Sequence, residues 1–137
     1  MDKIKIGIYG YGNLGKGVET AIYNNNDIEL VGVFTRRDPN TLKTLHPETK
    51  VFSVDDVKDM QDKIDIMILC GGSATDLPKQ APEMSKLFNT VDSFDTHAKI
   101  PEYFKSVNKE AKESNHLSLI SCGWDPGLFS LNRALLE

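Results

Sequence analysis

Cysteine is scarce in this chain: among 137 residues only Cys70 and Cys122 occur, far apart and in no Cys-x-x-Cys spacing. That excludes a disulfide scaffold and gives a metal centre or a redox pair no support, so no metal is expected and both thiols read as small, reduced, mostly buried side chains of a cytosolic protein. Long apolar runs are missing too. The longest, near 66–70, is strand-sized, whereas a membrane-spanning helix needs about 20 apolar residues. Met1-Asp2-Lys3 leads straight into a strand pattern with no signal-peptide regions, so neither export nor a membrane partner is expected. Cationic excess is also absent: 16 Lys and Arg stand against 20 Asp and Glu, which leaves no electrostatic reason to bind nucleic acid. No repeat, low-complexity stretch or linker interrupts the chain. With 39% hydrophobic and 26% charged residues, it is expected to form one soluble domain with a real core.

Against these absences stands Gly10-Tyr11-Gly12-Asn13-Leu14-Gly15, which follows an apolar run at 4–9 and opens the helical pattern Val18, Ala21, Ile22. A Gly-x-Gly-x-x-Gly turn at a strand-to-helix junction is a dinucleotide signature. The first glycine permits the tight turn, the second leaves no side chain between backbone and pyrophosphate, and the third lets helix and strand pack closely. A second strand is expected at 28–34, and its end selects the ribose. An acidic residue there would hold the 2′-hydroxyl of NAD. The chain instead reads Phe34-Thr35-Arg36-Arg37. Guanidinium groups match a phosphate in charge and bidentate geometry and can lie flat on adenine. NADP(H) is therefore expected, with Thr35 and Arg37 on the 2′-phosphate and Arg36 over the adenine.

Strand and helix patterns then alternate, the signature of a doubly wound, mostly parallel α/β sheet of the Rossmann type with helices on both faces. Strands are expected at 51–53, 64–70, 90–92 and 117–121, making six. The run at 64–70 reads as buried on both faces. Helices are expected after a cap at Ser53 or Asp55, from Asp76 or Leu77 to Phe88 with a kink at Pro82, and over 101–115 with Tyr103, Phe104, Val107 and Ala111 inward.

Ligands of such sheets sit beyond the carboxyl ends of the strands. There the chain places Gly71-Gly72-Ser73-Ala74-Thr75-Asp76, Asp92-Ser93-Phe94-Asp95-Thr96-His97 and Cys122-Gly123-Trp124-Asp125-Pro126-Gly127, which are expected to converge on one cleft. Ser73 and Thr75 precede a helix N-terminus, where they can touch a cofactor phosphate or cap the helix. Asp92, Asp95 and Asp125 suit a cationic substrate, with Trp124 as an apolar wall. Each aspartate also fits a loop or capping role, and His97 reads either as a proton-transfer group or as a structural residue.

Taken together, the glycine hexad, Phe34-Thr35-Arg36-Arg37, Gly72-Ser73-Ala74-Thr75-Asp76, Val91-Asp92-Ser93-Phe94-Asp95 and Gly123-Trp124-Asp125-Pro126-Gly127 resemble the NADP-dependent meso-diaminopimelate dehydrogenases, over residues 4–131. The resemblance implies oxidative deamination at the D-configured centre, giving L-2-amino-6-oxopimelate and ammonia in lysine biosynthesis. It implies Gly10, Tyr11, Gly12, Asn13, Leu14, Gly15, Thr35, Arg36, Arg37, Gly72, Ser73, Ala74 and Thr75 at the cofactor. Asp92, Trp124 and Asp125 would be catalytic and substrate-binding, with Asp95 also at the substrate. Gly71 departs from the bulkier residue expected before the Gly-Ser-Ala-Thr-Asp segment.

Members of that family continue into a substrate and dimerisation domain and form homodimers. Residues 1–137 therefore read as an NADP-binding domain cut off before it, able to bind cofactor but inactive or weakly active alone. Two other readings stay open: another NADP-dependent reductase of amino-acid pathways, of the dihydrodipicolinate reductase or homoserine dehydrogenase type, and a non-catalytic NADP(H)-binding module.

Overall fold

The computed structural model describes residues 2–137. Its strands are Ile4–Tyr9 (β1), Ile28–Thr35 (β2), Val51–Ser53 (β3), Ile66–Leu69 (β4), Asn89–Asp92 (β5) and Ser118–Leu119 (β6). Its α-helices are Asn13–Tyr23 (α1), Leu77–Ser85 (α2), Ile100–Glu113 (α3) and Leu128–Leu136 (α4). Strand order is β3-β2-β1-β4-β5-β6, the doubly wound order of a dinucleotide-binding sheet. The pairs β1–β2, β1–β4, β2–β3 and β5–β6 all run parallel. The residues group into two compact units, one up to Gly71 and one from Gly72 to Glu137. A doubly wound sheet is built from two βαβ halves, each with its own core.

In the first unit Ile6 and Ile8 of β1 pack with Tyr11, Ile22 of α1 and Val33 of β2. Met67 and Leu69 of β4 are sealed, whereas Ile66 and Ile68 are half-buried. The strand expected to be covered on both faces is thus fully covered on one. Ser53 Oγ accepts from Asp55 N at 3.2 Å, so Ser53 is the cap. The element it starts is a 3₁₀ helix, Val54–Met60.

The second unit packs α2 on α3. Leu77, Ala81 and Met84 face Tyr103, Val107 and Ala111, all buried. Phe104 departs from expectation at 54% exposure, because the inward stripe runs through every fourth residue from Tyr103 and leaves its neighbour to one side. Helix α2 stops at Ser85 rather than Phe88: after Pro82 the chain tightens, with Lys86 N on Glu83 O and Leu87 N on Met84 O. Strand β6 is also shorter than expected, and its neighbours Leu117 and Ile120 lie outside the ladder. Helix α4 leaves Leu128, Leu131, Leu135 and Leu136 exposed. No helix among the described residues is long and apolar enough to cross a membrane.

The thiols also differ from expectation. Cys70 is half-buried, with its pKa pushed up to about 12 by burial, while Cys122 is exposed on a polar loop.

One buried group in the first unit has no hydrophobic explanation. Glu19 of α1 is 0% exposed, and its carboxylate accepts from the Tyr11 hydroxyl, Thr49 Oγ1 (2.7 Å), His46 N (3.1 Å) and Leu45 N (3.4 Å). Burial alone would raise its pKa, but the hydroxyl and amide donors outweigh it and hold the carboxyl below the ordinary 4.5. Tyr11 responds oppositely, pushed up to about 12 by burial and by its bond to Glu19.

A carboxyl depressed in the folded state stabilises above its unfolded pKa, and that stability disappears as pH falls through the folded value. Glu19→Gln is expected to cost about 1–3 kcal/mol at neutral pH. Denaturant titrations at stepped pH should show the gap from wild type narrowing below 4.5; a gap that ignores pH would exclude a charged Glu19.

Candidate functional site

At the end of β1 the chain turns through Gly10 with φ of +97°, and Gly10 N donates to Phe34 O at 2.9 Å, joining the ends of β1 and β2. A Cβ on Gly15 would stand 2.5 Å from the Gly10 carbonyl oxygen, whereas nothing lies within 4 Å of one on Gly12. One glycine is fixed by packing and the other opens onto free space. Helix α1 starts at Gly12 with no side-chain cap and no acidic residue in its first turn. Its unpaired first-turn N–H groups, among them those near Asn13 and Leu14, and its positive dipole end therefore suit an anion.

The end of β2 stands beside this turn. Arg37 Nη2 donates to the Tyr11 carbonyl at 2.8 Å, so backbone of the glycine turn positions that guanidinium. Thr35 is 3% exposed and its Oγ1 accepts from Arg37 N at 3.1 Å. That bond ties the hydroxyl oxygen into the turn at the end of β2. Arg36 is exposed. Arg37 lines a cavity of about 280 Å³ with Tyr11, Lys16, Thr41, Leu42 and Lys43.

In the second unit, Gly72 N donates to the Asp76 carboxylate at 3.1 Å, closing the turn before α2. Asp76 stands at the cap position but bonds backward, leaving the amides of the helix start unclaimed by its side chain. Ser73 Oγ accepts from Asp95 N at 3.2 Å, which brings the loops after residues 72 and 92 together. Ala74 and Thr75 are exposed. Ala74 lines a cavity of about 300 Å³ with Pro78, Phe94 and Tyr103.

Asp92 takes the loop-capping role that the sequence left open beside a substrate role. It is 2% exposed; Oδ1 accepts from Phe94 N and Ser121 N, both at 3.0 Å, and Oδ2 accepts from the Tyr103 hydroxyl at 2.5 Å. Its carbonyl takes Cys122 N at 2.8 Å. The Tyr103 ring stacks on Phe94 at 3.9 Å, and burial, with the Asp92 bond, raises the pKa of its hydroxyl. Tyr103 carried no functional signal in the sequence beyond its place on the inward face of α3.

Asp125 is half-buried. Asp125 Oδ1 accepts from Ser130 Oγ at 3.1 Å and Arg133 Nη2 at 3.4 Å, with His97 Nε2 at 3.9 Å. Asp95 is exposed. Trp124 is 65% exposed and stacks on Phe129 at 5.8 Å between centroids. The unit thus presents two carboxylates, an indole and an imidazole on adjoining loops.

No protein-family model matches the chain. It is 62% identical over all 137 residues to a meso-diaminopimelate D-dehydrogenase of Acetivibrio thermocellus, covering 41% of that protein. The chain thus spans about two fifths of the length of the curated relatives it matches. Among solved structures, the Corynebacterium glutamicum diaminopimelate dehydrogenase in complex with diaminopimelate is 44% identical with a TM-score of 0.88, over 98% of this chain and 41% of that one. An engineered D-amino acid dehydrogenase bound to NADP+ also gives 0.88 at 44% identity, over 97% and 40%.

The glycine geometry makes a paired prediction. Gly12→Ala should keep the wild-type Tm, because its methyl meets no protein atom, yet lose anion binding at α1. Gly15→Ala should lower Tm, since overpacking against a backbone oxygen costs about 1–3 kcal/mol. Thermal melts with and without pyrophosphate-containing nucleotide check both; equal Tm losses would contradict the open space at Gly12.

Proposed function

We propose, from the likeness to meso-diaminopimelate dehydrogenases over the whole chain, that these residues form the NADP(H)-binding part of an enzyme that oxidatively deaminates meso-2,6-diaminopimelate to L-2-amino-6-oxopimelate and ammonia. The observation that carries the cofactor is the opening over Gly12 beside Arg37, which the Tyr11 carbonyl holds in place. A dinucleotide fits this chemistry. Its diphosphate suits the bare backbone and first-turn amides of α1, and its 2′-phosphate suits Arg37, with Arg36 over the adenine. No acid stands at the end of β2 to hold an unphosphorylated ribose. Gly72, Ser73, Ala74 and Thr75 serve the cofactor through the start of α2.

The nicotinamide, when bound, supplies the hydride acceptor. Asp125 and Asp95 would hold the ammonium of the D-centre, and Trp124 would limit water there. Asp92 supports the two loops that carry them rather than touching substrate. His97 Nε2 stands 3.9 Å from Asp125, too far for a direct hydrogen bond. The remainder of a longer parent protein, a homodimer on this reading, would grip the distal L-centre and cover Leu128, Leu131, Leu135 and Leu136. Lysine biosynthesis in the cytoplasm is the corresponding setting.

Remote substrate contacts supply much of transition-state positioning. The 137-residue chain is therefore expected to bind NADPH while releasing little or no ammonia from meso-diaminopimelate; turnover at the rate of a full-length relative would refute the division of labour. Arg36→Ala with Arg37→Ala should weaken NADPH binding about 10- to 100-fold, the worth of one or two charged hydrogen bonds, with far less effect on NADH. Fluorescence titration with both cofactors checks this, and equal losses would turn the reading away from NADP(H).

A further inference from the structure

The loop after β2 has an arrangement that the glycine turn and the arginine pair do not account for. Residues 38–50 carry no strand or helix, yet they are tied at several points. Asp38 closes a turn, taking Asn40 N on its carboxylate at 3.0 Å and Thr41 Oγ1 on its carbonyl at 2.9 Å. Leu42 packs against the core of the first unit. Leu45 N donates to the Tyr11 hydroxyl at 2.9 Å, and His46 N and Thr49 Oγ1 donate to buried Glu19. Tyr23 stacks on His46 at 4.0 Å and its hydroxyl meets Thr49 Oγ1 at 3.0 Å.

Lys43 lies between the Leu42 anchor and the Leu45 anchor. The cavity it lines with Arg37 also takes Lys16, so three cations and no carboxylate surround about 280 Å³. Lys16 makes this sharper: it stands near the positive end of α1, where a cation is electrostatically unfavourable unless an anion is close. Like charges gathered around an open cavity from α1, the end of β2 and a loop held by an internal carboxylate are an arrangement for a multiply charged anion.

We propose that Lys43 is a specificity-determining residue for a ribose 2′-phosphate, held at its cavity by a latch of Glu19, Tyr11 and Thr49. This deepens the NADP(H) reading and rests on it. Arg37 receives the phosphate from the side of the glycine turn and Lys43 from the loop, so the group meets cations from both directions. Glu19 is a positioning residue: it reaches no ligand and acts by fixing the backbone just after the lysine, at Leu45 and His46, while Leu42 packs on the core just before it. Lysine here acts as a point charge, so arginine substitutes for it with little loss of charge.

The test uses the 137-residue chain and two probes that differ only in the phosphate, 2′,5′-ADP and 5′-AMP, titrated by calorimetry at low and high salt. Lys43→Met is expected to lower the ratio of 2′,5′-ADP to 5′-AMP affinity about three- to tenfold, with the effect shrinking as salt screens it, and Lys43→Arg to restore the ratio. Glu19→Gln is expected to lower the same ratio and to speed amide hydrogen exchange at Leu45 and His46. An unchanged ratio in Lys43→Met, with a large loss in Arg37→Met, overturns the role of Lys43 and leaves the NADP(H) reading standing. A lowered ratio in Lys43→Met with an intact one in Glu19→Gln overturns the latch. A wild-type chain that does not prefer 2′,5′-ADP overturns the NADP(H) reading and this proposal together.

Discussion

Tyr11 sits within the glycine turn and is used twice. Its carbonyl takes the Arg37 guanidinium and its hydroxyl joins the carboxylate of Glu19, so one residue fixes both a surface cation and an interior anion. A buried carboxylate without a cationic partner is tolerated only when donors surround it, and here two hydroxyls and two amides do so. Those donors come from the turn itself and from the loop after β2. The arginine beside the opening over Gly12 and the loop after β2 are therefore joined through one hydrogen-bonded frame.

The second unit repeats the device with different groups. Asp92 is likewise buried and likewise filled by donors, a phenol and two amides. In both cases a buried carboxylate on regular structure, within α1 for Glu19 and at the end of β5 for Asp92, gathers the amides of an irregular segment. Loops built this way can stay polar and still hold a defined shape, as a binding surface requires.

The sequence made legible what depends on near neighbours. The glycine hexad could be read because strand, turn and helix are consecutive within residues 4–23, and the arginine pair because it follows β2 directly. The loops ending β4, β5 and β6 were found for the same reason. What escaped depends on partners distant in sequence. Asp92 kept both a substrate reading and a capping reading because its amide donor at Ser121 is 29 residues away and the phenol of Tyr103 lies on α3. Glu19 left a faint trace, since it falls on the inward face of α1 between Gly15 and Ile22, but its partners near Leu45 and Thr49 gave none. Lys43 carried no signal for the same reason. Phe104 failed differently: helical periodicity identified the helix, but its apolar stripe was drawn one residue too wide.

The Asp92 carboxylate grips Phe94 N on one loop and Ser121 N on another through a single oxygen, Oδ1. A side chain shared in this way cannot follow one loop without dragging the second. Asp95 and Asp125 lie on the far sides of those two grips, so their spacing behaves as a property of the pair of loops rather than of either one. A chemical group seated against either carboxylate would meet a surface that yields as one piece.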